Sequence, residues 1–193
     1  MGTIKTTNIQ SISGSGTVTL GVSGETFDIP SGVTLDSTGA TITGALTNTP
    51  SFRAFRSSTQ SISDNTLTKV EFDSETFDTD NTFDNSTNYR FTPGVSGKYY
   101  VFTQVCCTAS SSTVLNFALA IMKKNGSEIA RNNVDPDDAT PNNQAYPFFA
   151  TIVEMNTTDY IEIFAQIDVA SGTPQIGDGT SQTYFGAYKL TGA

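Results

Sequence analysis

Carboxylates and thiols are the groups in this sequence that could do chemistry. The run EFDSETFDTDNTFD (71–84) holds Glu71, Asp73, Glu75, Asp78, Asp80 and Asp84, and VDPDD (134–138) adds Asp135, Asp137 and Asp138. A carboxylate pair can act as general acid and base on a glycosidic bond when a cleft sets the separation. Loop carboxylates can instead gather around a hard cation such as Ca2+, with backbone carbonyls completing the shell. Neither run has the EF-hand spacing. Both read most simply as solvated acidic loops; Asp78, Asp80, Asp135, Asp137 and Asp138 are the candidate ligands should a cation bind, and no organic cofactor is expected. Histidine is absent, which removes Ser-His-Asp, Cys-His and imidazole–zinc chemistry.

The two cysteines, Cys106 and Cys107, are adjacent. Neighbours on a strand point to opposite faces, so an ordinary disulfide between them is disfavoured. They read as two small buried hydrophobes, with a vicinal disulfide or reactive thiol pair as the alternative. Arg53 and Arg56 stand among Phe52 and Phe55. They fit strand-end caps or ion pairs across a subunit boundary, or a site for an anionic ligand.

The elements that must position these groups are strands. Nothing in the 193 residues reads as a long amphipathic helix. Residues 1–50 are dominated by Thr, Ser, Gly, Val, Ile and Leu, with Phe27 the one aromatic. Short alternating pieces place Val18, Leu20, Phe27, Ile29, Val33, Leu35 and Ile42 in register. Each piece offers too few apolar side chains for a core of its own. The segment fits a β-rich stem that gains a core when several copies wrap together, or a flexible linker.

Residues 51–193 alternate short apolar runs with turn clusters such as PGVSG (93–97), NG (125–126) and GDGTSQ (177–182). Strands are expected near 51–57, 67–73, 87–92, 97–107, 113–123, 127–132, 146–155, 159–168 and 182–190, which makes an all-β sandwich or barrel. Two of them have one wet face. Ile161, Ile163, Ala165 and Ile167 alternate with polar residues, and Leu115, Phe117, Leu119 and Ile121 form a second inward row. Three others, YYVFTQVCC (99–107), YPFFATIV (146–153) and TYFGAYKL (183–190), are apolar on both faces. If they share a sheet, its inner face lies in the sandwich and its outer face needs another cover. A large bare patch is an aggregation hazard, and a second copy of the chain is the economical cover.

The run YRFTPGVSGKYYVF (89–102) resembles the signature of the complement C1q and tumour necrosis factor superfamily. SFRAFRS (51–57) resembles the family's first strand, FDTDNTFD (77–84) its Asn- and Asp-rich loop, NTTDYIEIF (156–164) a later turn and strand, and TYFGAYKL its closing strand. The resemblance implies a jelly-roll head over 51–193 that assembles as a homotrimer, with one sheet along the threefold axis, and that binds ligands without catalysis. The expected subunit interface is Phe52, Phe55, Tyr99, Tyr100, Val101, Phe102, Phe148, Phe149, Tyr184, Phe185 and Tyr188. Residues 1–50 have no Gly-X-Y period, so the collagen stem of the complement proteins is missing. They are similar instead to the Ser/Thr/Gly-rich stems of bacteriophage tail fibres and other virion appendages.

Net charge is −9, from 19 acidic and 10 basic side chains. Nucleic acid and anionic membranes select positive surfaces, so neither is an expected partner. No signal-peptide-like apolar run opens the sequence, and no segment reaches the length of a membrane helix. The expectation is a bacteriophage virion protein made in the host cytoplasm: a fibre, spike or decoration. Residues 1–50 would attach to other virion proteins. Loops 73–88, 108–113, 133–145 and 170–181 would bind host surface glycan or protein, or shield the particle. The alternatives are a capsid-bound head fibre or cement protein with no receptor role, and a bacterial surface or secreted adhesin or lectin.

Overall fold

The computed structural model describes residue 31 and residues 48–110, 115–135 and 143–191. Most of the expected stem, and Asp137 and Asp138, lie outside the described residues. The chain divides into two units, Met1–Thr43 and Gly44–Ala193.

In chain order the strands are β1 (Ser51–Phe55), β2 (Gln60–Ser61), β3 (Thr68–Lys69), β4 (Ser74–Asp78), β5 (Phe83–Asp84), β6 (Arg90–Phe91), β7 (Gly97–Gln104) and β8 (Cys107–Ala109). Then follow β9 (Leu115–Lys124), β10 (Ser127–Val134), β11 (Gln144–Ala145), β12 (Phe148–Met155), β13 (Ile161–Val169), β14 (Pro174–Ile176) and β15 (Tyr184–Lys189). They form a five-stranded sheet β12-β7-β15-β1-β4, a six-stranded sheet β10-β9-β13-β6-β5 with β3 beside β13, and a small sheet β11-β8-β14-β2. Every pairing is antiparallel.

The three strands that read as apolar on both faces do lie side by side, as β12, β7 and β15 of the five-stranded sheet. Their inward residues meet a core of stacked rings. Phe52 lies 4.8 Å from Phe83 and 4.8 Å from Phe91, and meets Phe185 edge-on at 5.0 Å. Edge-to-face and offset stacks of this kind add about 0.5–1.5 kcal/mol per pair beyond area burial. Opposite them, Ile161, Ile163, Ala165 and Ile167 are all fully buried, as their alternation requires.

Three expectations are corrected. The run 97–107 is not one strand: β7 ends at Gln104 and β8 begins at Cys107 in another sheet. The bend is fixed by two bonds of the Cys106 backbone to different partners: Gly177 N donates to Cys106 O, and Cys106 N donates to Thr183 Oγ1. Secondly, the inward row of β9 is not Leu115, Phe117, Leu119 and Ile121. The register between β13 and β9 slips, with Asp168 opposite Phe117 and Val169 opposite Leu115. One extra residue exchanges the faces of a strand, so Leu115 is followed in the core by Ala118, Ala120 and Met122. Thirdly, the acidic segment 73–88 is not all loop. Ser74–Asp78 is the edge strand β4, whose sequence SETFD lacks the apolar alternation that marks a half-buried strand.

The outer face of the six-stranded sheet is mixed: Glu162, Gln166 and Asp168 lie on it as expected, but so do Phe164, Ile121 and Leu119, the last two displaced there by the slip in β9. Glu162 forms an ion pair with Lys69, and Lys123 Nζ sits 4.2 Å over the Phe164 ring.

Candidate assembly interface and ligand loops

The outer face of the five-stranded sheet follows from the register. Across β12, β7, β15 and β1, one row joins Ile152, Tyr100, Tyr188 and Ser51. The next joins Ala150, Phe102, Gly186 and Arg53, and the third joins Phe148, Gln104, Tyr184 and Phe55. Phe77 on β4 continues the middle row beside Arg53. These side chains alternate with the core residues and so must point away from the sandwich.

The face is a field of rings. Tyr100 lies 5.4 Å from Tyr188 and 6.0 Å from Phe102, and Phe102 lies 6.2 Å from Tyr184. The Phe102 ring lies over Gly186, where a Cβ would come within 2.5 Å of its Cζ. Glycine at this position therefore keeps the face flat. At its edges the apolar surface is open: Ile152 is 61% exposed, Phe77 47% and Phe148 46%. Among the described residues Ile152 and Phe77 are the two most exposed large hydrophobic side chains, and Phe148 is level with Val95 behind them.

The expected interface set divides between two faces. Phe55, Tyr100, Phe102, Phe148, Tyr184 and Tyr188 lie on the outer face. Phe52, Tyr99, Val101 and Phe185 do not: each is at most 1% exposed and belongs to the subunit's own core. Phe149 is half-buried against that core. The correction is one of parity, because both faces of these strands are aromatic and composition alone does not separate them. Arg53 is already a sequence candidate for an ion pair across a subunit boundary, whereas sequence reading missed Ile152, Phe77 and Gly186. Their signal was the register, which needs the pairing partners.

Gly186→Ala is expected to lift the Phe102 ring off the sheet, at a cost of about 1–3 kcal/mol for overpacking. A rise in urea sensitivity together with weaker self-association in sedimentation checks it.

The other candidate region is a loop cluster. Ala109 N donates to Asn143 O at 3.1 Å, and Ser110 N donates to Thr173 O at 3.0 Å. The described flanks of three of the four expected ligand loops, 108–113, 133–145 and 170–181, thus meet at one end of the head. The fourth is not with them. Its turn after β4 is tied to the start of β1, where Thr79 N donates to Ser51 O at 3.0 Å. Chain entry and exit share that opposite end, since Lys189 N donates to Pro50 O at 3.2 Å.

The acidic candidates are mostly engaged in shaping loops. Asp78 accepts from Phe83 N at 2.8 Å and from Thr82 Oγ1 at 3.1 Å, and Asp80 accepts from Thr79 Oγ1 at 2.7 Å. Asp135 is exposed. Among the described residues no three His, Cys, Asp or Glu side chains converge as metal ligands. Asp84 accepts bonds from the backbone of Ser86, Thr87 and Asn88. These donors hold its carboxyl well below the usual range. Asp159, which accepts from Asn156 N and Asn125 Nδ2 and pairs with Lys124 at 2.9 Å, is held at about 2 for the same reason. Both carboxylates fix turns.

Cys106 and Cys107 are free and buried. Burial, the largest cause, raises both thiols above their ordinary range. Neither thiol is therefore expected to react with a disulfide reagent in the native protein at neutral pH, and both react once it is unfolded. Spectrophotometric thiol titration with and without denaturant checks this.

No family model matches the chain, and no curated protein matches it. Solved structures do. The Eiger tumour necrosis factor from S. frugiperda aligns with a TM-score of 0.52 at 11% identity, covering 75% of this chain and 95% of that one. Murine APRIL at pH 5.0 aligns with a TM-score of 0.53 at 12% identity, covering 72% and 99%. The globular domain of zebrafish complement 1qA aligns with a TM-score of 0.53 at 13% identity, covering 73% and 97%. The all-β head of this chain is a jelly roll of the kind found in the tumour necrosis factor and C1q domains.

Proposed function

We propose that this chain is a non-enzymatic structural protein of a bacteriophage particle, a homotrimeric fibre, spike or decoration. Its jelly-roll head assembles through the outer aromatic face of the five-stranded sheet. The observation that carries the reading is that face. Tyr100, Phe102, Tyr184 and Tyr188 form a continuous aromatic surface on strands whose other side is already in the core. Monomeric proteins seldom leave such a surface open. A closed ring of identical copies covers it without exposing a new one, and a homotrimer is what the family resemblance of residues 51–193 implies.

The virion assignment rests on residues 1–50, whose Ser/Thr/Gly-rich alternation is similar to phage fibre stems. In this reading they attach to other virion proteins. The loop cluster at the opposite end of the head from chain entry faces the host. Residues 57–66, 105–110, 143–147 and 170–183 at that end carry Asp64 and Asp178 and no lysine or arginine, and the sequence of 135–142 adds Asp135, Asp137 and Asp138. Their charge suits a neutral glycan or a cationic protein surface and disfavours an anionic polymer.

Immunogold labelling of the phage particles with antibody against the head tests the assignment. Label on intact particles is the expected result. Absence of the protein from purified particles by both labelling and mass spectrometry overturns it.

A further inference from the structure

We propose that Arg53 is the electrostatic lock of the subunit boundary, taking a carboxylate from the neighbouring copy. This rests on the proposed assembly through the aromatic face.

Arg53 is the one cation in the middle of that face. Its cross-strand neighbours are Gly186, under the Phe102 ring, and Phe77; Phe55 follows it on its own strand. Its guanidinium carbon lies 4.8 Å from the centroid of the Tyr184 ring. Nη2 donates to Thr180 O at 2.6 Å, and Nη1 reaches Thr76 Oγ1 at 3.4 Å. A guanidinium has five N–H donors, so this pair of bonds leaves several without an acceptor. No carboxylate of the subunit meets it among the described residues, whereas Arg56 on the same chain segment has Asp73 at 2.9 Å.

In an isolated subunit, water serves the remaining donors. Covering the face with a second copy removes that water. An unpaired charge in an apolar boundary costs several kcal/mol, so an assembled head requires an acceptor there, and a carboxylate matches the guanidinium fork best. The copy itself supplies carboxylates in excess, with 19 acidic against 10 basic residues. Glu75 on β4 and Glu154 on β12 are exposed on the two edge strands of this sheet, and their side chains make no hydrogen bond among the described residues. In a heterologous ring one surface of a copy meets a different surface of the next, so a carboxylate on an edge strand can meet Arg53 on the face.

The test is a double-mutant cycle on the full chain. The assembly constants of wild type, Arg53→Leu, Glu75→Gln, Glu154→Gln and the two double variants are measured by sedimentation equilibrium. Thermal unfolding confirms that each is folded. Arg53→Leu is expected to weaken assembly roughly a hundredfold, the scale of one severed charge pair at an interface. Arg53→Lys retains part of the affinity. One of the two glutamate variants reproduces the loss and adds little to Arg53→Leu. If Arg53→Leu assembles as tightly as wild type, or if neither glutamate couples to it, the lock is overturned while the assembly stands. A wild-type chain that stays monomeric overturns the assembly reading itself.

Discussion

A Tyr100→Glu chain is expected to fold normally and to remain a monomer. Tyr100 is central to the outer face, with Ile152 opposite it on one flanking strand and Tyr188 on the other. It is half-buried in the isolated subunit and outside the core cluster. A carboxylate there can stay hydrated in the monomer, so subunit stability should change by less than about 1 kcal/mol, as for a surface substitution. In the assembled boundary it would be an uncompensated charge among rings. Breaking an interface at a buried aromatic anchor costs about 2–4 kcal/mol before the charge is counted, and a ring of three copies carries the change three times. Size-exclusion chromatography should show a single small species, with circular dichroism unchanged from wild type.

Phe185→Ala is expected to do the opposite. Phe185 is the next residue after outward-facing Tyr184, but it is fully buried. Its ring lies 5.0 Å from Phe52, 5.6 Å from Phe72 and 5.8 Å from Phe83. Emptying that site removes the junction of the aromatic core, and truncations of this kind cost about 3–5 kcal/mol. Urea denaturation at fixed protein concentration checks it, because a self-associating protein gains apparent stability with concentration. The two substitutions together separate the faces of one sheet. A large stability loss from Tyr100→Glu and none from Phe185→Ala would mean that inside and outside have been exchanged.

Much of this was legible in the sequence. The three strands with two apolar faces do lie side by side as three of the five strands of one sheet, and the need for a cover on its outer side follows from their composition. Alternation also placed Ile161, Ile163, Ala165 and Ile167 in the core without help from the fold. Parity within the two-faced strands was not legible. Tyr99 and Tyr100 are the same residue type, and only the pairing of β7 with β12 and β15 decides which of them is inside. The β9 row failed for a local reason: an extra residue opposite Asp168 and Val169 shifts Leu119 and Ile121 to the other face. Strand β4 was hidden because an edge strand needs no apolar alternation. The meeting of the flanks of loops 108–113, 133–145 and 170–181 depends on the short pairings of β8 with β11 and β14, which are two or three residues long. Pairings so short leave no periodic trace.

The most direct test of the central claim is the solution mass of the full chain by multi-angle light scattering, beside that of Tyr100→Glu. The account predicts three times the 20.5 kDa chain mass for wild type and one chain mass for the variant. A wild-type monomer, or a trimer that Tyr100→Glu leaves intact, would contradict assembly through the aromatic face.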